Sequence, residues 1–178
     1  MKNNAKKIIS LVLCFVFVFS LLPLNAAAES TGLEIGTPDE MRQFADRVNA
    51  GETFEGQTVI LTANIDLGGE ENPWTPIGNK SAQFKGTFDG GYHVISGLYV
   101  SGTTYSGLFG NVKGGTVKNI VVEGKVSGTS NVAGIVAYLN AGKIENCGNR
   151  ADISGGSAVG GVAGYLNGAC TVSSCFNT

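Results

Sequence analysis

Gly107-Leu108-Phe109-Gly110 is echoed by Gly134-Ile135-Val136-Ala137 and again by Gly161-Val162-Ala163-Gly164. The leading glycines fall 27 residues apart each time. A fixed period of this length marks a stacked architecture with one supersecondary unit per repeat. Further positions keep the register. Val112, Leu139 and Leu166 align, as do Asn111, Tyr138 and Tyr165, Val126 and Ile153, and Val132 and Val159. Val117 matches Ile144 at 27 residues and Val172 at 28 more, which places one extra residue near Ala169. Ile120, Cys147 and Cys175 follow. Recurrent apolar positions are what a shared core demands when each unit buries its face against the next.

Helical repeats need ten or more residues of 3.6-residue periodicity. Here glycine, 27 of 178 residues, interrupts nearly every stretch. The apolar runs are short, β-branched and turn-bounded, as in Thr116-Val117-Lys118-Asn119-Ile120-Val121-Val122. These predict strands. The expected fold is an all-β solenoid, one coil per unit, with coils stacked at the parallel-strand spacing of roughly 4.8 Å. An antiparallel sandwich with accidental self-similarity is the alternative.

These residues resemble a known family. Gly-Leu-x-Gly followed by a short strand and Asn119-Ile120 or Asn146-Cys147 resembles the GLUG repeat of bacterial surface proteins. Trp74-Thr75-Pro76-Ile77-Gly78 and the segment from Phe84 to Leu98 resemble the lead-in that precedes such repeats. The resemblance covers residues 35 to 178. It departs at Ala137, Ile135 and Val162, which keep their sites small or apolar. It implies a right-handed parallel β-helix in large secreted or wall-associated proteins, some of them adhesive. It also implies kinship with repeats that accompany metallopeptidases cleaving immunoglobulin A.

Residues 1–28 read as an export signal. Lys2, Lys6 and Lys7 form a basic start, Ile8 to Leu24 is apolar, and Ala26-Ala27-Ala28 offers a cleavage site before Glu29. A retained membrane anchor is the alternative. Cys14 lies mid-segment and does not suit a lipid-bearing cysteine. The expected location is secreted or at the cell surface, with no membrane partner after removal. Cleavage removes three lysines and no acid, leaving nine basic against 14 acidic residues and a net charge of −5. That balance gives no electrostatic case for nucleic acid.

The remaining chain divides into a cap and lead-in over 29–104 and repeats over 105–178. Thr37-Pro38-Asp39-Glu40 predicts a capping box with proline at the first helical position. Met41, Phe44, Ala45 and Val48 keep helical spacing, and Gly51 stops the helix. Such a helix could cover the open edge of the first coil or grip a partner. Val59, Leu61, Ala63, Ile65 and Leu67 alternate as one half-buried strand. The chain stops inside the third unit, which suggests the N-terminal part of a longer protein.

No catalytic, cofactor-binding or metal-ligating set emerges. His93 is the sole histidine, and Val94-Ile95 after it exclude His-Glu-x-x-His. The coils carry only Glu123, Glu145 and Asp152 as acids, and Glu145 aligns with Lys118 and Ser173, so no carboxylate ladder forms for sugar hydrolysis. Asp66, Glu70, Glu71 and Asp89 match no calcium loop. Gly155 to Gly161 lacks the phosphate-loop pattern and reads as an inter-coil turn. Asn119, Asn146 and Ser174 align as a polar ladder or, less simply, a ligand site. Cys147 and Cys175 could stack as thiols or bridge, with Cys170 left over. The expected function is a non-catalytic exported module, stalk-like or adhesive, for a host or cell-wall glycan or protein. A polysaccharide-active β-helix and an accessory region of a larger secreted enzyme are the alternatives.

Overall fold

The computed structural model describes residues 32–178; the export signal expected at 1–28, with Cys14 in it, lies outside them. The described chain is mostly strand. β1 (Leu33–Ile35) leads into α1 (Pro38–Asn49), followed by β2 (Thr58–Leu61), β3 (Ile65–Asp66) and a 3₁₀ turn at Gly69–Glu71. Then come β4 (Thr87–Ser106), β5 (Phe109–Lys113), β6 (Thr116–Ala133), β7 (Val136–Asn140) and β8 (Lys143–Asn149). β9 (Asp152–Gly160), β10 (Ala163–Asn167), β11 (Thr171–Ser173) and β12 (Phe176–Asn177) complete the order.

Strands pair in parallel. β1, β2, β4, β6, β8 and β11 lie side by side in chain order, and β5, β7 and β10 form a second sheet. Val117 pairs with Ile144 and Ile144 with Val172, as the period requires. Val126 pairs with Ile153, Val132 with Val159, and Leu139 with both Val112 and Leu166. The extra residue of the third unit falls between Asn167 and Thr171. The same row continues upstream through Phe88 and Val59 to Leu33. Its steps there are 29, 29 and 26 residues, so the period is irregular where no repeat was legible.

Left-handed backbone positions recur at equivalent places in the repeat. Tyr92, Asn119, Asn146 and Ser174 have φ of 62°, 56°, 53° and 53°. Tyr105, Asn131 and Ala158 form a second series, and Gly114, Ala141 and Gly168 a third. A non-glycine residue in this region costs about 1–2 kcal/mol, least for asparagine. Two expectations are corrected here. Gly155 to Gly160 is strand, not turn: within β9, Gly155 pairs with Gly128 and Ser157 with Ser130. The single strand expected over 59–67 is two strands. Residues 62–64 break it because Thr62 N–H and its hydroxyl both donate to Ile35 O, and Asn64 Oδ1 accepts Val94 N–H at 2.9 Å. The burial alternation nevertheless survives the break at Val59, Leu61, Ile65 and Leu67.

The helix begins and ends as its sequence dictates. Thr37 Oγ1 accepts Glu40 N–H and Glu40 Oε2 accepts Thr37 N–H, closing the capping box. At the other end Gly51 N–H donates to Val48 O and Glu52 N–H to Arg47 O, with Gly51 at φ 109°. That pair of bonds is a Schellman stop. Met41, Phe44, Ala45 and Val48 are buried. Phe44 packs on Phe54, Phe84 and Phe88 with ring centroids 5.1, 5.6 and 5.9 Å away. Arg42 fastens the outer side by donating to Leu67 O and Asn72 O at 2.9 and 3.0 Å while lying over the Trp74 ring.

Beyond this aromatic end the interior is aliphatic. Leu108 and Ile135 are fully buried, with Val162 half-buried on the last level. On that level Tyr165, Leu166, Val172 and Phe176 are 41–49 % exposed. Their equivalents Leu139 and Ile144 are 0 % exposed. Cys147, Cys170 and Cys175 are all free thiols. Burial, reinforced by the neighbouring Cys175, pushes the Cys147 thiol up to about 12. Only thiolates react readily. Mild alkylation of the folded protein should therefore modify Cys170 and Cys175 well before Cys147, which should react on unfolding. Peptide mapping that found Cys147 labelled first would contradict this packing.

Candidate ligand-binding face

Three residues that sequence reasoning weighed for chemistry, His93, Glu123 and Asp66, make structural contacts. His93 Nδ1 lies 3.3 Å from Asn64 Oδ1, beside the break between β2 and β3. Glu123 pairs with Arg150 of the next level at 3.2 Å. Asp66 Oδ1 accepts Gly68 N–H, closing a local turn. Among the described residues, no three His, Cys, Asp or Glu side chains gather where they could hold a metal ion. No helix among them is long and apolar enough to cross a membrane.

The asparagine ladder is present. Asn119 Nδ2 donates to Asp89 Oδ1 at 3.0 Å, and Asn146 Nδ2 donates to Asn119 Oδ1 at 3.2 Å. Lys118 reaches the other Asp89 oxygen at 3.1 Å. Burial works to raise the Asp89 carboxyl, but the Asn119 amide, Gly91 N–H and Lys118 outweigh it and hold it below its usual value. A carboxylate depressed in the folded state stabilises above its unfolded pKa, and that contribution is lost as pH falls through the folded value. Acid destabilisation should thus be shallower in Asp89→Asn than in the wild type, read as urea midpoints across the carboxylate range. Equal slopes would show that the ladder does not depend on the charge.

A second face is built differently. The sheet of β5, β7 and β10 alternates inward Val112, Leu139 and Leu166 with outward positions on either side. Asn111, Tyr138 and Tyr165 form one outward row; Lys113, Asn140 and Asn167 form the next. Residues 77–84 extend this sheet through bridges from Ile77 to Phe109 and Phe84 to Val112. Between those bridges the chain loops out, closed by Asn79 Oδ1 accepting Ser81 and Ala82 N–H. That loop brings Lys80 and Gln83 to the sheet. Tyr105, at its left-handed corner, sets its ring edge-to-face with Tyr138 at 5.6 Å, and Tyr138 stacks on Tyr165 at 5.4 Å.

The result is a recess of about 210 Å³ lined by Lys80, Gln83, Tyr105, Asn111, Lys113, Tyr138 and Asn140. Asn111 is only 7 % exposed and presents its side chain to this recess. Asn140 Oδ1 accepts Asn167 Nδ2 at 3.2 Å, leaving its own amide hydrogens to donate. On the far side of Tyr105 a second recess of about 260 Å³ is lined by Asn49, Thr75, Pro76, Gly78, Asn79 and Thr104. There Asn49 is already engaged by Pro76 O and Gly78 N–H. Only the first recess brings cationic side chains, Lys80 and Lys113, among its polar groups. Sequence reasoning aligned Asn111, Tyr138 and Tyr165 but assigned the row no direction and no role. The alternation within Val136-Ala137-Tyr138-Leu139-Asn140 was the available signal, because it sets Tyr138 and Asn140 opposite Leu139. Lys80 and Gln83 had no such signal, since a non-repetitive loop delivers them.

No protein-family model matches this chain, and neither a curated protein nor a solved structure does.

Proposed function

We propose that this chain is a right-handed parallel β-helix of the GLUG-repeat kind, exported and displayed at the cell surface or secreted, where it acts as a non-catalytic adhesive or stalk-like module. The observation that carries this reading is the outward face of β5, β7 and β10, where polar and aromatic residues repeat from level to level. Parallel pairing at the repeat period supports a helix of strands, and parallel crossovers are right-handed in about 98 % of cases. The basic, apolar and small-residue succession over 1–28 supports export. One acid of the repeats, Glu123, is tied to Arg150, which supports a non-catalytic role for that residue.

The test is expression with the native leader in a bacterium that secretes. The exported product should begin at Glu29 by mass spectrometry, and purified protein coated on beads should retain them on cell walls or host surfaces. Retention with the leader uncleaved would remove the export part. A correctly processed protein that holds no surface would remove the adhesive part.

A further inference from the structure

We infer that the recess between Tyr105 and Tyr138 is a binding subsite for a carboxylate-bearing sugar unit of an acidic polysaccharide. This deepens the adhesive reading and rests on it. The charge pattern points to an anion. The protein without its leader is net negative, yet the recess has Lys80 and Lys113 and no acid among its lining residues. The four ion pairs among the described residues use Arg47, Lys85, Lys118 and Arg150, so neither recess lysine is neutralised by the protein.

The polar groups of the recess point to a polyhydroxylated ligand. The Asn111 carboxamide lines the recess, where a hydroxyl could pair with it. The Asn140 amide hydrogens, and the Tyr105 and Tyr138 hydroxyls, which meet no protein partner among the described residues, add donors and acceptors around it. Two cations are too few for a nucleic-acid backbone on a negative protein, because affinity there grows with the number of phosphates neutralised. The volume suits one unit of a chain rather than a whole ligand, since drug-sized pockets begin near 300 Å³. Tyr165 and Asn167 repeat the Tyr138 and Asn140 positions one level along, so a strand lying on the face would meet the same chemistry again.

Titration calorimetry with a hexuronate hexamer, against a neutral glucose hexamer, tests this on the leaderless chain. The hexuronate should bind, and added salt should weaken it. Lys80→Ala/Lys113→Ala and Tyr138→Ala should each weaken binding about tenfold or more. Both lysines are exposed, so the double variant should keep the wild-type circular dichroism and melting curve. Failure of the hexuronate to bind, equal affinity for the neutral hexamer, or unchanged affinity in the lysine variant would overturn the subsite. Bead retention by the lysine variant separates the two readings. If it still adheres like the wild type, the recess is not the adhesive site, and the adhesive reading stands through another face. If the wild type itself does not adhere, the broader reading fails first.

Discussion

Ile135→Asp should abolish the cooperative fold, or lower its urea midpoint so far that little native protein remains at room temperature. Ile135 is fully buried on an interior level, with Leu108 on one side and Val162 on the other in the repeat register. Its backbone carbonyl is already spent on Phe109 N–H at 2.8 Å. An aspartate there loses the apolar burial, about 1.5–3 kcal/mol for a side chain of this size. It also places a carboxyl among aliphatic neighbours, where protonation is the least costly escape. The sum is several kcal/mol against a typical total of about 5–15. Val162→Asp supplies the control. Val162 is half-buried on the last level, so the same charge there keeps access to water and should cost clearly less. Equal midpoints for the two variants would show that Ile135 is not core.

Gly134→Ala should be nearly as damaging, although it adds a single methyl group. A Cβ at Gly134 would run into the Asn149 side-chain oxygen and come within 2.9 Å of Gly161 O. Neither neighbour is free to yield. Asn149 is 1 % exposed and its amide bridges levels, bonding Ala151 O at 3.1 Å and Asn177 Oδ1 at 2.7 Å. Gly161 O accepts Gly134 N–H. The expected cost is about 1–3 kcal/mol or more, as for other overpacked interiors. Asn149→Ala removes the obstructing oxygen together with the bridge. In a double-mutant cycle the two changes should therefore cost less together than summed, with a coupling of about 0.5–3 kcal/mol. Strict additivity would mean that the methyl group is accommodated by some other shift.

These two sites also show what the sequence made legible. The leading glycines and the apolar rows repeat because each level must fit the same backbone approach and fill the same interior, so a 27-residue period reported both. The helix was legible to its ends because its stops are local: Thr37, Glu40 and Gly51 act within a few residues. The break at 62–64 was not, since it depends on Ile35 and Val94, each roughly a level away. Nor was β9, where the repeat register suggested an inter-coil turn and pairing with β6 decided otherwise. The binding face was half legible. Its tyrosines were aligned, but their outward direction and the two lysines depend on strand parity and on a loop that departs from the period.

Chain order and spatial order coincide in the main sheet, from β1 through β11. Under tension such an arrangement would open strand by strand rather than stretch evenly. Strands with the least burial, such as those of Val172 and Phe176, both half exposed, would be the first to peel away. The opposite end is held by Arg42 and the phenylalanine cluster around Phe44. Each level freed would lengthen the tether by about 90 Å, at roughly 3.3–3.6 Å for every extended residue.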